Sequence, residues 1–173
     1  VVKASRKFEK ANLPGIDLRG SDLHTANLRK ANLTGANLEG TNLREAKLQE
    51  ANLSRANLRG AELNFVFLYK ADLHEANLRG ANLESADLLF ANLTEANLGK
   101  AYLLNADLTE ANLRGADLSG ADLWAANLSG ANLSGTDLRE ASLHEANLTG
   151  TDLSGADLQG ARGSATLSGA YLR

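Results

Sequence analysis

From residue 6 to residue 160 the chain divides into 31 consecutive pentads without one slip. The third residue of each pentad, its centre, is Leu thirty times and Phe8 once. Two positions earlier stands Ala in 24 units, the exceptions being Arg6, Ile16, Ser21, Thr41, Val66, Thr136 and Thr151. Just before the centre stands Asn in 15 units and Asp in 10, so the motif is A-(N/D)-L-x-x. Few backbones accept a period of five. On an α-helix five residues advance about 500°, which turns each Leu about 140° from the last and leaves no apolar stripe. On a straight strand an odd period sends successive Leu to opposite faces. A chain that bends once per pentad brings every Leu and Ala to one interior, and its stacked turns pair as parallel strands. That is an all-β solenoid.

The fifth position of each pentad is where the bend falls. Thirteen Gly occupy it, and sorted on a period of 20 they divide six, five, two and none among four columns. Four walls per coil follow. Gly supplies the φ > 0 that the third residue of a type II turn requires, and Pro14-Gly15 spells such a turn. The Gly-free column, Thr25, Glu45, Phe65, Ser85, Asn105, Ala125 and Glu145, is therefore expected to turn without φ > 0.

Ala11-Asn12-Leu13, Ala31-Asn32-Leu33 and Ala116-Asp117-Leu118 resemble the motif of the pentapeptide-repeat proteins, over about nine-tenths of the chain. The resemblance implies a right-handed quadrilateral parallel β-helix, here of about eight coils of four five-residue faces, with centres and the Ala two before them inward. It also implies that residues flanking each centre point outward. Three segments are expected: a lead-in at 1–5, the β-helix at 6–160 and a closing coil at 161–173. In the last, Ala161-Arg162-Gly163-Ser164 is one residue short, and Ala165-Thr166-Leu167 and Ala170-Tyr171-Leu172 resume out of phase. Solenoid ends expose apolar centres and unpaired backbone, and Phe8, bulkier than Leu, is placed to plug the first coil.

Composition removes several kinds of chemistry. Leu (34) and Ala (29) leave only 12 other apolar residues. With no Cys, disulfide frameworks, thiolate metal sites and cysteine nucleophiles drop out. No apolar run approaches the roughly 18 residues of a membrane helix. Val1-Val2-Lys3 leads straight into charged chain with no visible signal peptide, so a cytoplasmic location is expected. The absence of an initiator Met fits an excised or processed chain. His24 and His144 share a column six coils apart, and His74 lies on another wall, so no histidine site assembles. Asp117, Asp137 and Asp157 stack at about 4.8 Å spacing, a column with Arg139 beside it that reads as solvated surface rather than a metal site. There is no phosphate-binding glycine loop and no basic stripe with interleaved aromatics. No enzyme, cofactor, metal or nucleic-acid ligand is expected.

Charge is uneven along the chain. Residues 1–30 carry seven positive and three negative side chains, and residues 101–160 carry two and nine, within a net of −3. The informative departures are apolar residues at outward positions: Phe67 and Tyr102 before their centres, Tyr69, Leu89, Leu104 and Trp124 after them, Phe65 and Phe90 at corners. All eight fall on two adjacent walls, and clustering of this kind marks contact. The chain reads as a non-enzymatic scaffold that binds a protein through this outer wall, with a homodimer or end-to-end association as the self-contacts considered. The alternatives are an acidic DNA mimic that binds a type II topoisomerase, the role of quinolone-resistance members of the resembled family, or an accessory domain of a larger signalling protein. A single Phe centre and the absence of a dimerising helix weigh against the mimic, while the acidic stretch 101–160 favours it.

Overall fold

The computed structural model describes residues 8–171. The expected lead-in at 1–5 lies outside them. Parallel bridges join residue i to residue i+20, from Asn12↔Asn32 to Ser142↔Arg162. With a bend every five residues, each coil has four faces. Face 1 is centred on Phe8 and every twentieth residue after it; faces 2, 3 and 4 are centred in the same way on Leu13, Leu18 and Leu23. Face 4 of one coil leads into face 1 of the next.

The paired segments are shorter than ordinary strands: each face contributes one bridged residue, the one before the centre. Pentad 91–95 shows why this suffices, because each of its five backbone N–H groups has a partner. Ala91 donates to Leu88 O across the preceding turn, at 2.9 Å, and Asn92 donates to Ala71 O in the coil before, at 3.0 Å. Leu93 and Glu95 donate to Asn112 O and Arg114 O in the next coil, at 2.7 and 3.0 Å. The remaining group, Thr94 N–H, donates to Asn92 Oδ1 at 3.3 Å. This last bond explains the Asn/Asp preference. The N–H after each centre has no backbone acceptor, and only a short side chain carrying an oxygen two residues earlier reaches it.

The same amide serves a third purpose, since Asn92 Nδ2 donates to Asp72 Oδ1 of the coil before at 2.9 Å. Similar rungs join Asn32 to Asn12 and Asn147 to Asn127, at 2.7 and 3.0 Å. Inside, Leu centres and the Ala two before them are almost wholly buried through the body of the rod. Where Thr replaces Ala, its hydroxyl donates to the turn carbonyl of the preceding coil: Thr41 to Leu18 O at 2.8 Å, Thr136 to Leu113 O at 3.1 Å and Thr151 to Leu128 O at 2.9 Å. Phe8 is half-buried against the first coils.

The corners correct one expectation. The fifth residue of every pentad, Gly or not, has positive φ: 53–59° at 18 non-Gly positions and 61–74° at the thirteen Gly. The Gly-free column is no exception, from Thr25 at 57° to Glu145 at 59°. Negative φ at the second turn residue, positive φ at the third and a centre-to-next-Ala hydrogen bond define type II turns on all four corners. Each non-Gly corner carries about 1–2 kcal/mol of steric cost. It persists because the two turn residues are held from both sides by coil-to-coil bonds. Gly records where that cost is relieved, not which turn is made.

The ladder changes step near its end. After Ser142↔Arg162 the bridges become Asn147↔Thr166 and Asp152↔Tyr171, an offset of 19. The missing residue is absorbed at Gly163, whose φ is 125° and whose backbone runs so close to the previous coil that a Cβ would collide with His144 N and the carbonyl carbon of Leu143. This corner lacks the two-residue turn of the others.

Candidate interaction surface on faces 4 and 1

Every pentad on faces 2 and 3 carries Asn or Asp before its centre. Among the described residues up to 160, departures occur only on faces 4 and 1: Lys47, Glu62, Phe67, Tyr102 and Ser142. In the out-of-phase end of the rod Arg162, Thr166 and Tyr171 also depart, Tyr171 stacking on Asp152 of face 2. Replacing the amide at Phe67 and Tyr102 removes the acceptor for the N–H groups of Tyr69 and Leu104. Among the described residues those two N–H groups have no protein acceptor. The positions thus give up a backbone hydrogen bond and carry a large apolar side chain instead.

Phe65, Phe67, Phe90, Tyr102 and Trp124 are between 39% and 57% exposed, so each keeps a substantial part of its apolar surface in water. Tyr69, Leu89 and Leu104 are half-buried. The ladder puts Leu89 beside Tyr69, through Lys70 N–H to Leu89 O at 3.0 Å, and Trp124 beside Leu104, through Asn105 N–H to Trp124 O at 2.9 Å. The aromatic contact itself is between Tyr69 and Phe90, edge to face with centroids 6.0 Å apart. Lys70 Nζ lies 5.2 Å from the first ring and 5.8 Å from the second. Phe67 is flanked in its column by Lys47 and Asp87, and Tyr102 by Asn82 and Asp122. The apolar groups are therefore interleaved with polar rungs.

Trp124 edges a depression of about 340 Å³ lined also by Asp122, Ser142, His144, Glu145 and Ser164. Two irregularities lie at its edge. Ser142 is shorter than the Asn or Asp of a regular rung, and the shortened corner at Gly163 brings Ser164 into the rim.

The other candidate groups are quiet. His24 Nδ1 and His74 Nδ1 each reach the carbonyl stacked in the next coil, Arg44 O at 2.9 Å and Thr94 O at 3.1 Å, which is a structural role. Asp117, Asp137 and Asp157 do stack. Arg139 grips Asp137 with both Nε and Nη2 and lies 3.8 Å from Asp157. Its side-chain hydrogen bond holds the Asp137 carboxyl below the usual carboxylate range. A resident guanidinium thus occupies the place a cation would take. Among the described residues no group of His, Asp or Glu is arranged to hold a metal ion, and no helix is long and apolar enough to cross a membrane.

A four-sided parallel β-solenoid with a filled interior defines a class of repeat proteins whose chemistry is confined to its outer walls. The family model described as pentapeptide repeats matches this chain in eight copies, over residues 7–40, 36–74, 51–88, 86–124 and 125–162. The chain belongs to the pentapeptide-repeat family, which implies a right-handed quadrilateral β-helix; members of this family are generally structural or interaction scaffolds. Among solved structures it is similar to HetL, a pentapeptide repeat protein involved in heterocyst differentiation regulation from the cyanobacterium Nostoc sp. strain PCC 7120. Identity is 34% over 96% of this chain and 89% of that one, with a TM-score of 0.45. A pentapeptide repeat protein of the Arabidopsis thaliana thylakoid lumen is 35% identical, covering 52% of this chain and 66% of the other, with a TM-score of 0.45. A trypsin-treated form of QnrB1, a plasmid-mediated fluoroquinolone resistance protein, shares the fold at 22% identity over 91% of this chain and 86% of its own, with a TM-score of 0.52. Comparison with curated proteins gives no match.

Proposed function

We propose that this protein is a non-enzymatic rigid scaffold that holds a protein partner against faces 4 and 1. One observation carries the reading: within the regular pentads of residues 6–160, departures from the Asn/Asp rule, and the large exposed apolar side chains between residues 65 and 124, share those two faces, while faces 2 and 3 keep the rule. A filled interior leaves only outer walls for recognition, and interface energy concentrates in aromatic and Arg anchors. In this reading residues 1–5 lead into a rod of about eight coils at 6–160, which residues 161–173 close. No cofactor, metal or nucleic acid takes part.

Phe67→Asn with Trp124→Ser tests it, because both changes restore the outward chemistry of the repeat and spare the fold. The double variant is expected to lose self-association in sedimentation, or partner capture, by at least about tenfold, the scale of a 1.4 kcal/mol anchor. Unchanged behaviour in both assays contradicts the proposal.

A second reading rests on the acidic stretch 101–160, with two positive against nine negative side chains: a DNA mimic acting on a type II topoisomerase. Inhibition or protection in a gyrase supercoiling assay supports that reading; an unaffected assay leaves the scaffold.

A further inference from the structure

We infer that the depression beside Trp124 is a receptor for an arginine side chain presented by the partner protein. The inference rests on the scaffold reading and specifies the chemistry of its anchor. The floor and rim combine three features that suit a guanidinium. Trp124, 49% exposed, offers the aromatic face on which a planar cation stacks best. Asp122 and Glu145 line the same depression, and among the described residues neither has a cationic partner. Ser142 and Ser164 add small polar groups to the wall without filling it, and His144 completes it.

The contrast with face 3 is instructive. There Asp137 and Asp157, stacked in one column with Asp117, already hold a guanidinium, that of Arg139. On face 4 a carboxylate stands beside an indole, and the local chain, 101–160, is strongly acidic. Arginine fits such a site better than lysine because its flat fork stacks and pairs with carboxylates at once, whereas an ammonium is a compact, strongly hydrated point charge. Two local breaks in the repeat border this space, the short rung at Ser142 and the step absorbed at Gly163 beside Ser164.

Trp124 is the only Trp of the chain, so its emission reports on the site directly. The probe is the peptide acetyl-Leu-Arg-Leu-amide, compared with versions carrying lysine and the neutral isostere citrulline. The expected result is a saturable emission change with the arginine peptide, at least about tenfold weaker with citrulline, and weaker again as salt screens the carboxylates. Asp122→Asn with Glu145→Gln is expected to remove the preference for arginine over citrulline. Asn keeps the oxygen that accepts Trp124 N–H, now at 3.2 Å, so the turn survives. Equal binding of arginine and citrulline peptides, no emission change with either, or full preference in the Asp122→Asn/Glu145→Gln variant overturns the inference. If Phe67→Asn with Trp124→Ser abolishes partner capture while Asp122→Asn with Glu145→Gln does not, the scaffold reading stands and the arginine receptor fails alone.

Discussion

Asn52 Oδ1 accepts both the backbone N–H and the hydroxyl of Ser54, at 2.9 and 2.6 Å. This two-residue loop closure recurs along the rod, as between Asn132 and Ser134 and between Asn147 and Thr149. It satisfies the one N–H per pentad that coil stacking cannot reach. Asn52→Ala is therefore expected to lower stability by about 1–3 kcal/mol, the cost of leaving that donor unpaired. Asn52→Asp keeps the acceptor and should cost less than half as much. Urea unfolding decides the matter, and equal losses for Ala and Asp would show that the side-chain oxygen is not what the repeat selects.

Register is the second expectation. Leu98 is fully buried, and Leu98→Ala is expected to cost about 2–5 kcal/mol. Insertion of one Ala after Leu98 should cost more, because it shifts every later centre out of phase with the coils before it. The one step the chain already contains lies in its last described coil, where few bridges follow. Urea midpoints of the two variants compare them directly, and an insertion milder than the truncation contradicts the phased ladder.

The corners give a paired prediction. Ala125 sits at φ 53° and Gly120 at φ 63° in equivalent turns. A Cβ at Gly120 would meet only Lys100 Cγ, at 3.6 Å, so space is not the issue. Ala125→Gly relieves strain of about 1–2 kcal/mol against an unfolded-state cost of about 0.4–1, so it should stabilise by about 0.5–1 kcal/mol. Gly120→Ala should destabilise by a similar amount. Destabilisation by Ala125→Gly together with stabilisation by Gly120→Ala in thermal or urea unfolding would remove the strain account of the Gly-free column.

That column shows how far the sequence could be read. Period, inward Leu and Ala, and the four walls were legible because burial repeats every five residues and Gly is unevenly spread over a period of 20. The turn type was not, because Gly lowers a cost that the stacked coils impose on Glu45 and Ala125 alike. The role of Asn and Asp was also missed, although its signal was present: Asn52-Leu53-Ser54 and Asn92-Leu93-Thr94 place a second hydroxyl where only the preceding amide can receive it. On the candidate surface, the period of 20 is enough to place Leu89 beside Tyr69. The edge-to-face contact with Phe90 depends on how two side chains lean toward one corner, which no spacing rule supplies.

Acid should act through the aspartate that Arg139 holds. The Arg139 side-chain hydrogen bond lowers the folded-state pKa of Asp137 from its ordinary 3.8, against a smaller opposing effect of burial. A depressed folded value contributes stability that is complete above the unfolded value and is lost as pH falls through the folded one. Wild type should therefore exceed Asp137→Asn in stability at pH 7, and the gap should close as pH drops below 3.8. A gap that stays constant between pH 7 and pH 2 contradicts this coupling.

If faces 4 and 1 are the working surface of the rod, photo-crosslinking in the native cell shows it without knowledge of the partner. A benzoylphenylalanine placed at Tyr69 or Leu104, on faces 1 and 4, occupies a position after the centre, as it does at Thr94 on face 2 or Ser119 on face 3. The backbone and the Asn or Asp rungs are undisturbed in each case. The account predicts a crosslinked species from Tyr69 and Leu104 and none from Thr94 and Ser119. Equal crosslinking from all four faces, or products from Thr94 and Ser119 alone, would contradict it.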